Sequence, residues 1–245
     1  MARVVAVGVP HLVTQRSYEN QDVFTSDSLR LNYLYLLREH AAAQRLRVLA
    51  YCLMPNQVQA VVIPEQAASL AKTFRQVHAR FSQYRNTETH KTGPVWQSRF
   101  GSCPVDDSVL NEVLVSVENH PVRIGLVRHA SQFIWSSARA HLDVADESGL
   151  LEQGLFTDLL DMTWWRTRFT TEAWNGCLES DITDEALNEI RVSARAGRPY
   201  GQSDFVKGLE MSVGRRLTRG KPGRPRKRPA LQLPQPEFGH AAGAA

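Results

Sequence analysis

The feature that most constrains this chain is a pair of apolar runs separated by only two residues. Val48-Leu49-Ala50-Tyr51-Cys52-Leu53-Met54 is followed by Pro55-Asn56 and then by Gln57-Val58-Gln59-Ala60-Val61-Val62-Ile63. Runs of this length and composition, broken by a turn dipeptide, read as a β-hairpin with a tight turn, so an antiparallel pair belongs to the fold. Residues 3–15 mix apolar and polar residues in a way that suits a strand before the hairpin. Between the two, Ser26 fits the N-cap of a helix carrying Leu29, Tyr33, Leu36, Leu37 and His40. After the hairpin, Leu70, Phe74, Val77, Phe81 and Tyr84 recur at intervals of three and four and predict a second helix.

Beyond a loop at Asn86 to Pro94, Trp96 to Val105 supplies a further strand, and Asp107 caps a helix with Leu110, Val113, Leu114 and Val117 that Pro121 stops. Strand, helix, hairpin, helix, strand, helix is the order of a ferredoxin-like α+β fold, an antiparallel sheet backed by helices. This body is expected to span 1–142. Residues 143–217 read as a mainly helical C-terminal region, broken at Gly197-Arg198-Pro199-Tyr200-Gly201. Residues 218–245 lack the apolar content to pack and are expected to be disordered without a partner.

Hydrophobic residues make up 42% of the 245 and charged ones 22%, enough to bury a core. No run approaches the roughly 18 apolar residues of a membrane span, and the N-terminus turns polar too soon for a secretory leader, so a cytoplasmic protein is expected. Cys52, Cys103 and Cys177 have no metal or disulfide spacing and read as free, buried hydrophobes. The net charge of +4 is unevenly distributed. Arg215, Arg216, Arg219, Lys221, Arg224, Arg226, Lys227 and Arg228 lie together without an acid, and setting these eight aside leaves 21 basic against 25 acidic residues. A basic arm on a mildly acidic body points to a polyanion partner. Within it, Lys221-Pro222-Gly223-Arg224-Pro225-Arg226-Lys227-Arg228 resembles an AT-hook, in which an extended Gly-Arg-Pro core enters a narrow A·T-rich minor groove.

The hairpin sequence Ala50-Tyr51-Cys52-Leu53-Met54-Pro55-Asn56-Gln57-Val58-Gln59 resembles the signature of the REP-associated tyrosine transposases, single-tyrosine members of the HUH endonuclease superfamily. Further similar blocks follow in the family's order: Pro10 to Arg16, Trp96 to Phe100, Pro121 to Val127, Trp135 to Leu142, and the distal Gly197-Arg198-Pro199 and Gly214 to Leu217. The resemblance implies a DNA-cleaving fold in which two strand histidines hold a divalent metal, Mg²⁺ or Mn²⁺, and a helical tyrosine attacks the scissile phosphate. It also implies a hairpin or single-stranded repeat DNA as ligand and raises a homodimer as the assembly. For such a partner a nucleoid-associated location follows.

Here the histidine positions are Gln57 and Gln59, and the tyrosine position, counted back from Pro121, is Ser116. Strand alternation places both glutamines on one face, but a neutral amide is a poor replacement for imidazole at a metal site. His120 stands one turn after Ser116, and with Gln57, Gln59 and Glu118 it could form a weak Mg²⁺ site, against the plainer reading of a polar cluster without cofactor. Ser116 has no evident base to activate it, Tyr84 shares an apolar helix face, and His11 and His78 match no ligand spacing. The expectation is a transposase-family DNA-binding protein that cannot cleave. The alternatives are an active single-strand endonuclease with a reorganised metal site and a protein-interaction module on a transposase scaffold. Besides the arm, Arg99 and Arg123, with Arg75, His78, Arg80, Arg85, Arg128 and Arg139, are candidates for phosphate contact.

Overall fold

In the computed structural model, which describes residues 3–145 and 158–218, the two apolar runs pair as β2 (Leu46–Met54) and β3 (Gln57–Pro64). Met54 lies opposite Gln57, so Pro55-Asn56 alone makes the turn. β1 (His11–Arg16) pairs antiparallel with β3, and β4 (Gly101–Pro104) pairs antiparallel with β1, giving the order β2-β3-β1-β4. With α1 (Asp27–Ala43) between β1 and β2, and α2 (Ser69–Glu88) between β3 and β4, this is the expected ferredoxin-like α+β arrangement.

β1 starts later than the residue pattern suggests, because Gly8 turns the chain at a φ of 75° and Pro10 has no N–H to give a ladder. β4 is likewise shorter than Trp96 to Val105, and Trp96 forms only an isolated bridge with Ser17. The cap at Ser26 is as read, its hydroxyl accepting from the Leu29 amide at 3.4 Å. At the third helix it is Asp106, not Asp107, that accepts from a backbone amide, that of Ser108. The helix proper, α3 (Leu110–Glu118), ends before Pro121, which sits in the first turn of a separate short helix, α4 (His120–Arg123).

Both faces of the sheet are covered, which accounts for the unbroken apolar runs of the hairpin. On one face Tyr51, Leu53, Val58, Ala60 and Val62 pack against Tyr33, Leu37, Phe74, Val77 and Phe81 of α1 and α2. On the other, Ala50, Cys52, Met54, Val61 and Ile63 meet Val113, Leu114 and Val117 of α3. A register shift between Val48 and Ala50 turns Leu49 to this second face as well. The second core is completed from further along the chain, where α5 (Ala138–His141) is followed by α6 (Met162–Arg166), α7 (Thr171–Ser180), α8 (Asp184–Ala196) and α9 (Ser203–Val213). Trp165, Trp174 and Ile190 of this region are buried in the same cluster as the hairpin. α8 ends at Gly197 in the left-handed conformation, and the turn that follows is tied to the end of β4, Tyr200 donating its amide to Pro104 and accepting from Asp106.

Among the described residues no helix is long and apolar enough to cross a membrane. The three cysteines are free, Cys52 and Cys103 buried and Cys177 only partly so.

Candidate functional site

The alternation of β3 aims Gln57 and Gln59 at the second face, where α4 delivers His120 between them. Gln59 Oε1 lies 2.9 Å from His120 Nδ1, and Gln57 Nε2 lies 3.1 Å from His120 Nε2. A single tautomer satisfies both contacts: Nδ1–H donates to the Gln59 carbonyl, and the Nε2 lone pair accepts from the Gln57 amide. The imidazole is neutral at pH 7. Burial, reinforced by the charges of Arg123, Arg191 and Arg16, pushes its pKa down to about 4. Arg16 and Arg191 are exposed, whereas Arg123 is held inside by Asp181 at 2.6 Å and by the carbonyl oxygen of Ser116.

Ser116 does not join this group through its side chain. It is buried, and its hydroxyl donates to the Val113 carbonyl of its own helix at 2.7 Å. The chain breaks at Asn119 between α3 and α4, so Ser116 and His120 are not successive positions on one regular helix. Glu118 faces elsewhere. Fully buried, it accepts through Oε1 from Ser137 and from His141 Nδ1 at 2.6 Å, and through Oε2 from Trp174 Nε1 at 2.9 Å. His141 in turn stacks on Trp165, with 3.3 Å between ring centroids and 4° between planes. This network joins α3 to α5, α6 and α7, and sequence reasoning missed it. Its only signal was that Ser137 and His141 lie in the Trp135 to Leu142 block.

The donor set at the glutamine pair does not fit a divalent cation. It offers one imidazole with both nitrogens hydrogen-bonded, two neutral amides and three neighbouring guanidinium groups. Among the described residues no group of three or more His, Cys, Asp or Glu is placed to hold a metal ion. The same surroundings favour an anion.

Residues 6–120, which include all four strands and end at His120, match the family model described as transposase IS200 like. Residues 6–120, a little under half of the chain, are those of an IS200-like transposase domain. Its fold is shared with a solved REP-associated tyrosine transposase bound to a REP hairpin, at 14% identity and a TM-score of 0.51, covering 60% of this chain and 94% of that one. A putative transposase from Deinococcus radiodurans R1 is also similar, at 14% identity and a TM-score of 0.33, over 46% of this chain and 91% of the other. No curated protein matches. The family expected from the hairpin motif is therefore borne out. The glutamine pair and His120 fall inside the transposase domain, while Arg123, Asp181 and Arg191, which surround them, come from beyond its matched range.

Of the cationic residues singled out in the sequence, Arg99 is exposed and free of any ion pair among the described residues. Arg85 is buried and bonded to Gln21 and Asn86, and Arg80 pairs with Glu39. Arg216 is exposed and donates to the Thr218 hydroxyl, and Arg215 is half-buried. Arg219, Lys221, Arg224, Arg226, Lys227 and Arg228, with the AT-hook-like sequence and the expected disorder of the tail, lie outside the described residues. His11 and His78 are both buried structural histidines, burial pushing them down to about 4 and about 3. Tyr84 packs against the first core.

Proposed function

We propose that this transposase domain binds DNA at the position where its relatives cut and leaves the DNA intact. The observation that carries the proposal is the clamp on His120. Both ring nitrogens are taken by Gln57 and Gln59, so no lone pair faces outward to hold a metal. Without a metal the scissile phosphate is not polarised, and without a phenol no group can take up and later release the phosphoryl bond. Ser116 is a poor substitute, since its hydroxyl points back into α3. What persists is a neutral hydrogen-bonding floor beside Arg16 and Arg191, which suits a phosphate diester.

The ligand is hairpin or single-stranded repeat DNA, a reading supported by the shared fold with a transposase solved on a REP hairpin. The arm containing Arg215, Arg216, Arg219, Lys221, Arg224, Arg226, Lys227 and Arg228 adds minor-groove contact in A/T-rich flanks, by the charge and the Gly-Arg-Pro sequence described above. A hairpin-DNA mobility shift at two salt concentrations tests the proposal. Binding that weakens steeply with salt is expected, since each phosphate neutralised adds about 0.7 to 0.9 to the log–log slope. Deleting residues 214–245 is expected to weaken that binding and flatten the slope. Absence of any salt-sensitive complex overturns the DNA-binding reading.

A further inference from the structure

A second site lies on the opposite face of the sheet from His120. Between α2 and the segment leading into β4 there is a cavity of about 440 Å³, within the range of roughly 300 to 1,000 Å³ typical of small-molecule pockets. Its interior is aromatic. Trp96 is half-buried against His78, with centroids 5.0 Å apart, and the Arg3 guanidinium lies 3.6 Å above the Phe100 ring, held there by hydrogen bonds to the Phe100 carbonyl. Its rim is cationic. Lys72, Arg75 and Arg99 are exposed around the mouth and form no ion pair among the described residues, and no acidic residue lines the cavity. Elsewhere some exposed cations are paired with acids, as in Arg80 with Glu39 and Arg168 with Asp107.

An aromatic wall with a planar guanidinium, ringed by free cations, is the chemistry that takes up an unstacked nucleobase and its phosphates. We infer that this cavity accepts one unpaired nucleotide of single-stranded DNA, the base stacking on Trp96 and the Arg3 guanidinium, its flanking phosphates held by Lys72, Arg75 and Arg99. His78 forms the floor as a neutral ring, its Nε2 committed to the Tyr33 hydroxyl at 3.1 Å, and so leaves the charge to the rim. The inference rests on the DNA-binding reading for its ligand class, but not on the His120 site.

The test uses the full chain and a short single-stranded thymidine oligonucleotide as probe, read by quenching of tryptophan fluorescence. Quenching is expected in the wild type, lost in Trp96→Phe, and shifted to about tenfold higher probe concentration in Lys72→Ala/Arg75→Ala/Arg99→Ala, whose changes are all at the surface. An abasic strand of the same length is expected to quench far less. Equal affinity for the abasic strand, quenching that survives Trp96→Phe, or an unaffected triple variant overturns the pocket. A blunt hairpin run in parallel separates the two readings: a chain that fails to bind it yet is quenched through Trp96 keeps the pocket and loses the hairpin proposal.

Discussion

Replacing His120 by glutamine reports directly on the charge state that closes the candidate site. In the native protein burial, with Arg123, Arg191 and Arg16 nearby, pushes the imidazole down to about 4, while in the unfolded chain it returns to its ordinary value near 6.5. The folded pKa is the lower one, so the unfolded state binds the proton first. The stabilising contribution is therefore complete above about pH 6.5 and is lost as pH falls towards 4. At about 1.4 kcal/mol per pH unit for one proton, the loss attributable to His120 between pH 7 and pH 5 is about 2 kcal/mol. His11 and His78, also pushed down by burial, add slope of the same sign, so the wild type is expected to be sharply acid-labile. The His120→Gln variant isolates one part of that slope. Urea unfolding followed by tryptophan fluorescence at the two pH values is expected to show the wild type losing about 2 kcal/mol more than the variant. Equal losses, or a wild type that is steadied by acid, would refute the neutral, doubly bonded imidazole, because a histidine paired with an acid has the opposite sign.

Four further variants probe the rest of the structure and the site. Trp174→Phe removes the donor to Glu118 Oε2 in a fully buried setting, and a loss of about 2 to 4 kcal/mol is expected in urea unfolding at pH 7. Gly201→Ala places a methyl group against the Asp106 side chain at a φ of 149°, and a cost of about 2 to 3 kcal/mol is expected. Gly208→Ala, inside α9 with open space around it, is expected to be neutral or mildly stabilising, and thermal melts compare the two. Gln57→His/Gln59→His puts two further imidazoles beside His120. It is expected to gain about 2.7 kcal/mol of stability at a Mn²⁺ concentration a hundredfold above its dissociation constant, against no shift for the wild type.

Much of the fold was legible because it rests on local rules. The turn at Pro55-Asn56, the cap at Ser26 and the spacing of Leu70 to Tyr84 each state their element within a few residues. Strand limits were less legible. Whether residues before His11 or around Trp96 pair with a neighbour depends on Gly8, Pro10 and the reach of β1, which no residue pattern encodes. At the site, alternation sufficed to put Gln57 and Gln59 side by side, and the resemblance that sets His120 one turn after Ser116 sufficed to group it with them. The break at Asn119, which separates Ser116 from His120, and the turning of Glu118 towards His141 and Trp174 were not legible. Both depend on partners 19 to 59 residues further along the chain, as in Glu118 bonded to Ser137 and Trp174, the Asn119 amide bonded to Leu178 and the Arg123 guanidinium bonded to Asp181.

The central claim is binding without cutting. It is tested most directly by incubating the full chain with end-labelled hairpin DNA and Mg²⁺ or Mn²⁺, then resolving the products under native and denaturing conditions. The predicted result is a shifted complex that releases full-length DNA, with no covalent protein–DNA adduct. A nicked strand or a denaturant-resistant adduct from the wild-type chain would contradict it.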